Sequence, residues 1–219
     1  MKDASEVLLV VDVQNDFMPD GALAVARGDE IVPLVNQLAR RFSHVVLTQD
    51  WHPPSHVSFA ANHAGRQPFE MMTLPYGEQV LWPTHCVQNT PGAALHAGLD
   101  IPHARAVIRK GHHAGVDSYS AFLEADRTTP TGLAGYLRDT GVTRVWFCGL
   151  ATDYCVAWSA LDACAAGFEV VVIEDATRAI DLNGSLDNAW REMRAAGVER
   201  VQSAELACLS HATRTTHTL

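Results

Sequence analysis

Short apolar runs alternate along the chain with segments whose apolar residues recur at helical spacing. The runs "EVLLVVDV" (6–13), "SHVVLTQ" (43–49), "ARAVIRK" (104–110), "VTRVWFCGL" (142–150) and "FEVVVIED" (168–175) read as strands, with a short one near "ERVQS" (199–203). Several are apolar at nearly every position rather than at every second one, the pattern of strands covered on both faces. Between the first two, Ile31, Leu34, Val35, Leu38 and Phe42 predict a helix over 29–42, with Pro33 in its tolerated first turn. Leu133, Tyr136 and Leu137 mark a second helix, stopped by Gly141. The pattern predicts a third over 153–166, ending before Gly167. A fourth takes Ser185 as its N-cap, turns Trp190 and Met193 inward, and stops at Gly197. Strands alternating with helices imply a three-layer α/β/α sandwich with a mostly parallel central sheet.

The stretch from about 51 to 102 breaks this rhythm, being rich in Pro, Gly and His. Long irregular segments in compact domains are usually functional, and in parallel sheets the ligand crevice lies at the carboxyl ends of the strands. The 219 residues suit one domain spanning the chain, and 47% hydrophobic residues against 19% charged leave no excess of charge that would favour disorder. A formal charge of −9 without any Lys/Arg run argues against nucleic acid and anionic membranes as partners. The start, "MKDASEVLLVVDV", is too short for a span and lacks a cleavage site, so it reads as a first strand of a cytosolic (cytoplasmic) protein. Five cysteines (Cys86, Cys148, Cys155, Cys164, Cys208) without regular spacing give no disulfide framework, so at least one free thiol needs another explanation.

The strand ends carry the candidate chemistry. Asp12 ends the first strand, either as a turn former or as a general base, since partial burial raises a carboxyl pKa into a useful range. Asp16, in the turn that follows, reads as a loop-ordering residue. Lys110 and Lys2 are the two lysines against fourteen arginines. Lys110 ends "VIRK", where it is either an ordinary edge lysine or a buried cation that needs a negative partner. Cys155 follows a strand through the tight turn "GLAT". With Thr152 or Asp153 as cap, it falls in a helix's first turn, where free N–H groups lower a thiol's pKa and can form an oxyanion hole. Cys148 and Cys164 read as core filler. Nine of eleven histidines fall between His44 and His113. In "QDWHPPSH", Asp50 and His52 are two apart and point to one side of an extended segment, with His85 of "WPTHC" as a third ligand. Such a set suits Zn, Fe or Mn and leaves positions open for water or substrate. His56 is either a fourth ligand or a partner of a metal-bound water; His63, His112 and His113 read as surface loop histidines.

Together these residues resemble the nicotinamidases, within the isochorismatase-like cysteine hydrolase superfamily. The resemblance runs from about Glu6 to Leu209 and rests on "DVQNDF", "DWHPPSH", "WPTHCVQNTPG", "KG" followed by "DSYSAF", and "GLATDYCV", five strings in order. It implies the isochorismatase-like hydrolase fold and a catalytic triad of Asp12, Lys110 and Cys155. It implies one divalent metal on Asp50, His52 and His85, and a ring pocket lined by Phe17, Leu23, Trp82 and Tyr119. It also implies a cis peptide at Leu150–Ala151, aiming the Ala151 and Cys155 N–H groups at an oxyanion. The implied reaction is hydrolysis of nicotinamide to nicotinate and ammonia through a thioester, in NAD salvage, with pyrazinamide as a second substrate. Rival expectations are another amidohydrolase such as N-carbamoylsarcosine amidase, isochorismatase itself, or a silent member kept as a binding domain. The family's fold serves as monomer or homo-oligomer.

Overall fold

The computed structural model describes residues 3–206; Lys2, Cys208 and the polar tail 210–219 lie outside the described residues. Six strands form one sheet: β1 (Glu6–Val11), β2 (Val45–Asp50), β5 (Ala106–Lys110), β6 (Arg144–Leu150), β7 (Glu169–Arg178) and β8 (Glu199–Val201). Their spatial order is β5-β2-β1-β6-β7-β8, and every neighbouring pair is parallel.

Alternation along each strand divides the core in two. Leu8, Val10, Val45, Leu47, Trp146 and Cys148 face one side, where α1 (Val32–Ala39) packs through Val32, Val35 and Leu38. Val7, Leu9, Val11, Val46, Val145 and Phe147 face the other, against α2 (Leu133–Asp139), α3 (Ala157–Ala165) and α4 (Ser185–Ala195). With helices on both faces, neither side of a central strand meets water, which is why these runs are apolar throughout. Burying one Leu or Val side chain in such a core contributes about 1.5–3 kcal/mol.

The observed elements are mostly shorter than the predicted ones. Helix α1 ends at Ala39 rather than Phe42, and 28–31 form a 3-10 turn before it. The segment 152–156, expected as the first turns of an α-helix, is a π turn leading into α3. Neither Thr152 nor Asp153 caps it; the N-cap position is Ala151 and makes no side-chain capping bond. Ser185 is the first residue of α4 rather than its cap, and its hydroxyl donates to Asp153 instead. Within the irregular stretch, β3 (Met71–Leu74) and β4 (Gly77–Val80) form an antiparallel hairpin that the hydrophobic pattern did not signal. No helix among the described residues is long and apolar enough to cross a membrane.

The chain leaves β1 toward β2 and β5 on one side, then returns to β6 and runs to β8 on the other. The direction reverses between β1 and β6, the switch point at which α/β sheets open a crevice past their carboxyl ends. Gly149 permits the close approach there: it has φ +116°, and a Cβ would lie 2.1 Å from the Val11 carbonyl oxygen.

Candidate active site

Three polar side chains meet at that crevice. Asp12, just past β1, has φ +46°, an uncommon conformation for a residue with a Cβ. Its N–H donates to Thr48 Oγ1 (3.1 Å), and the Thr48 hydroxyl donates back to Asp12 Oδ1 (2.5 Å). Lys110, the last residue of β5, is fully buried. Its ammonium lies 2.9 Å from Asp12 Oδ2, donates to Cys155 Sγ at 3.3 Å and to the Ser118 carbonyl at 2.9 Å, and pairs with Asp50. Asp12, Asp50 and Cys155 offer atoms within 4.8 Å of one another.

Burial dominates the electrostatics. It raises the Asp12 carboxyl above its ordinary value, against the pull of Lys110. Burial also pushes the Cys155 thiol well up, again with Lys110 opposing. The direction is opposite to that expected of a thiol acidified by a helix terminus, and burial is its largest cause. Lys110 itself stays a cation, because the charges of Asp12 and Asp50 outweigh its burial. The Leu150–Ala151 peptide is cis, as the resemblance implied.

A second cluster adjoins the first. His52 continues the line of β2: its N–H donates to the Cys86 carbonyl (3.0 Å), and its own carbonyl accepts from Gln88 N–H (2.9 Å). This pairing brings His85 alongside, with ring centroids 5.0 Å apart. His52 Nε2 is 3.6 Å and His85 Nε2 3.8 Å from Asp50 Oδ2. Ligands around one tetrahedral zinc stand about 3.3–3.5 Å apart, given bonds of ~2.0–2.2 Å. The Nδ1 atoms face outward, onto the Gly111 carbonyl for His52 and the Pro83 carbonyl for His85, each 2.8 Å away. Those bonds leave both Nε2 atoms free to ligate. Burial, joined by the His52 charge, lowers His85 to about 4, so its ring stays neutral. Burial opposes ionisation of Asp50, but Lys110 and then His52 override it and hold the carboxyl well below the usual range. The three side chains fit a divalent cation. Gly111 has to be glycine here: φ is +64°, and a Cβ would lie 2.4 Å from the His52 ring.

His56 is differently placed. Its Nδ1 meets Ser58 Oγ at 2.7 Å and its Nε2 meets the Val116 carbonyl at 3.1 Å, so both nitrogens are engaged away from the Asp50 cluster. Its ring packs 4.2 Å from that of His52 and supports it from behind.

Between the two clusters opens a narrow pocket. Phe17, Leu23, Trp82 and Tyr119 line it, with Cys155 and Ala151 on one side and Asp50, His52 and His85 on the other. The Trp82 indole N–H and Gln79 Nε2 each donate to Tyr119 Oη at 2.9 Å, which fixes the aromatic wall.

A family model described as the isochorismatase domain matches residues 6–205. The chain belongs to the isochorismatase family. Over 207 residues it is 58% identical to a nicotinamidase of Acinetobacter baylyi, with 94% of this chain and 97% of that protein covered. Among solved structures it is similar to an Acinetobacter baumanii nicotinamidase and pyrazinamidase, 59% identical with a TM-score of 0.93, covering 94% of this chain and 100% of that one. It is also similar to a pyrazinamidase of Pyrococcus horikoshii in complex with zinc, 41% identical with a TM-score of 0.75, covering 90% and 99%.

In this isochorismatase-family site, several residues were not singled out from the sequence. Asp117, Tyr154 and Ile180 also line the cavity. Tyr154 adjoins Cys155, and Asp117 opens the quoted string "DSYSAF", so position beside a motif was the available signal. Gln14 was quoted in "DVQNDF" without a role. Buried, it accepts from Asp50 N–H and donates to the Asp50 carbonyl, both at 2.8 Å, holding that residue's main chain as a neighbouring strand would. Asp153 accepts from Ile180 N–H (3.0 Å) and Asp181 N–H (2.7 Å), tying the turn before Cys155 to the opposite wall. Asp16 orders the loops as expected: Cys86 N–H donates to it at 2.7 Å. His113 is exposed, but it pairs with the buried Glu124.

Proposed function

We propose that the chain hydrolyses nicotinamide to nicotinate and ammonia, with Cys155 as nucleophile, Asp12 as general base and acid, and Lys110 as their shared counter-ion. The observation that carries this reading is the single buried ammonium in contact with Asp12, Cys155 and Asp50, one wall away from an Asp/His/His cluster. The identities to nicotinamidases support it. When bound at Asp50, His52 and His85, a divalent cation (Zn, Fe or Mn) supplies a Lewis-acid anchor for a pyridine-type ring nitrogen. Zinc in the related pyrazinamidase supports that assignment.

Phe17, Leu23, Trp82 and Tyr119 sandwich the ring and exclude water, bringing the carboxamide carbon to Cys155. Because burial keeps the thiol protonated, Asp12 Oδ2 takes the Sγ proton as sulfur attacks. The negative charge that forms on the carbonyl oxygen is met by the Ala151 and Cys155 N–H groups. Asp12 returns the proton to the departing nitrogen, the C–N bond breaks, and ammonia leaves a thioester on Cys155. Asp12 then deprotonates a water that attacks the thioester; nicotinate departs and the proton returns to sulfur. Pyrazinamide, with an equivalent ring nitrogen and carboxamide, fits the same steps. Metabolically this is NAD salvage, in the cytoplasm.

Ammonia release from nicotinamide, measured with and without a chelator and in Cys155→Ala, tests the proposal. The expected result is turnover that the chelator suppresses and the substitution abolishes. Normal turnover by Cys155→Ala overturns it. Hydrolysis of N-carbamoylsarcosine but not nicotinamide assigns the site to a ureido substrate instead.

A further inference from the structure

A third group of metal-ligating side chains lies outside the cavity. His112 and His113 follow Gly111 on the segment leaving β5, and Glu124 lies where that segment turns back. The ligating atoms of the three lie within 4.8 Å of one another, and the two imidazole rings are 4.1 Å apart. The histidines are exposed, whereas Glu124 is 1% exposed. A buried carboxylate requires a cation. The charges acting on Glu124 include those of His113, His112 and Asp126, and His113 is its ion-pair partner. His113 Nδ1 approaches both oxygens, at 2.8 and 2.9 Å.

We propose that His112, His113 and Glu124 form a second divalent-cation site, at the base of the segment that walls the active site. Two imidazoles and one carboxylate are a donor set for zinc, with an open position left to water. Ligand atoms around zinc stand about 3.3–3.5 Å apart. Rotations of the two exposed imidazoles close the remaining distance, while the buried carboxylate stays fixed.

The position gives such an ion a consequence. Residues 112 and 124 bracket the stretch whose Asp117 and Tyr119 line the cavity and whose Ser118 carbonyl holds Lys110. Gly111, next to His112, supplies the carbonyl that orients His52. A cation joining 112–113 to 124 therefore restrains the catalytic wall without touching substrate.

The test is zinc stoichiometry by equilibrium competition with a chromophoric chelator, on the whole chain. The double variant His112→Asn, His113→Asn is expected to bind one equivalent fewer than the unsubstituted protein. Glu124→Gln, which keeps the side chain's shape, is expected to lose the same equivalent. His52→Ala is expected to retain it, so failure of the active-site metal assignment reads out separately. Equal zinc content in the unsubstituted protein and both variants overturns the proposal and leaves a surface ion pair only.

Discussion

Replacing Lys110 with methionine keeps most of the buried volume and removes the charge. Asp12 and Cys155 share one negative charge, which moves from Oδ2 to Sγ as the thiol proton is taken. Lys110 lies 2.9 Å from the first atom and 3.3 Å from the second, so it favours the charge nearly equally at either end. At an effective dielectric near 20, Coulomb's law gives about 5 kcal/mol for each contact. The ammonium therefore does little for the transfer itself; it keeps the pair ionised at all, against burial that raises both groups. Without it the pair holds a proton too many, and reaching the reactive ionisation state costs roughly that 5 kcal/mol. At 1.36 kcal/mol per decade, kcat falls about 10³–10⁴-fold at neutral pH. The assay is steady-state ammonia release across pH, with metal content and thermal midpoint checked on the same preparation. The account predicts a large loss in kcat, little change in KM, and partial recovery at high pH, where the pair ionises without help. A folded, metal-replete Lys110→Met enzyme within tenfold of the parent at neutral pH would refute the reasoning.

Three further outcomes follow from the geometry. Asp12 must be anionic to act as a base and its pKa is raised by burial, so activity is lost as pH falls through a value above the ordinary ~3.9 of an aspartate, visible as the acid limb of kcat/KM. Gln14→Leu strands the Asp50 main-chain groups, costing about 1–3 kcal/mol for each unsatisfied group. Metal affinity, read by chelator competition, should fall roughly 10–100-fold, as for other groups that orient a ligand. His44 is buried beside the Tyr136 hydroxyl (3.0 Å), and burial, aided by the Arg105 charge, depresses its pKa. Its contribution to stability is fully present above the unfolded value of about 6.5 and is lost as pH falls through the lower folded value. Urea midpoints of His44→Gln and the parent from pH 8 to 5 should converge toward acid.

The central strands β1, β2, β6 and β7 were legible because burial on both faces leaves little polar alternation to confuse them, and the half-exposed edge strands β5 and β8 were also located. Boundaries were less so. "EVLLVVDV" reads on through Val13, but Asp12 turns to positive φ, a backbone event without a hydropathy signature. The hairpin "MMTLPYGEQV" escaped notice because its residues are largely exposed and its strands are four residues each. Asp12, Lys110 and Cys155 could be found because a charge or thiol at the end of an apolar strand is chemically conspicuous. Gln14 and Asp153 could not, since their roles depend on main-chain partners far away in sequence: Gln14 reaches 36 residues to Asp50. Helix position alone also misjudged the thiol, because burial cannot be weighed before the walls of the site are known.

The central claim is that the sulfur of Cys155 carries the acyl group during turnover. A single-turnover experiment, with enzyme in excess over ring-labelled nicotinamide and acid quenching at successive times, tests it most directly. The account predicts label bound to the peptide containing Cys155 at early times, rising and then decaying as labelled nicotinate forms. Nicotinate forming at the full rate with no label on that peptide at any time would contradict it.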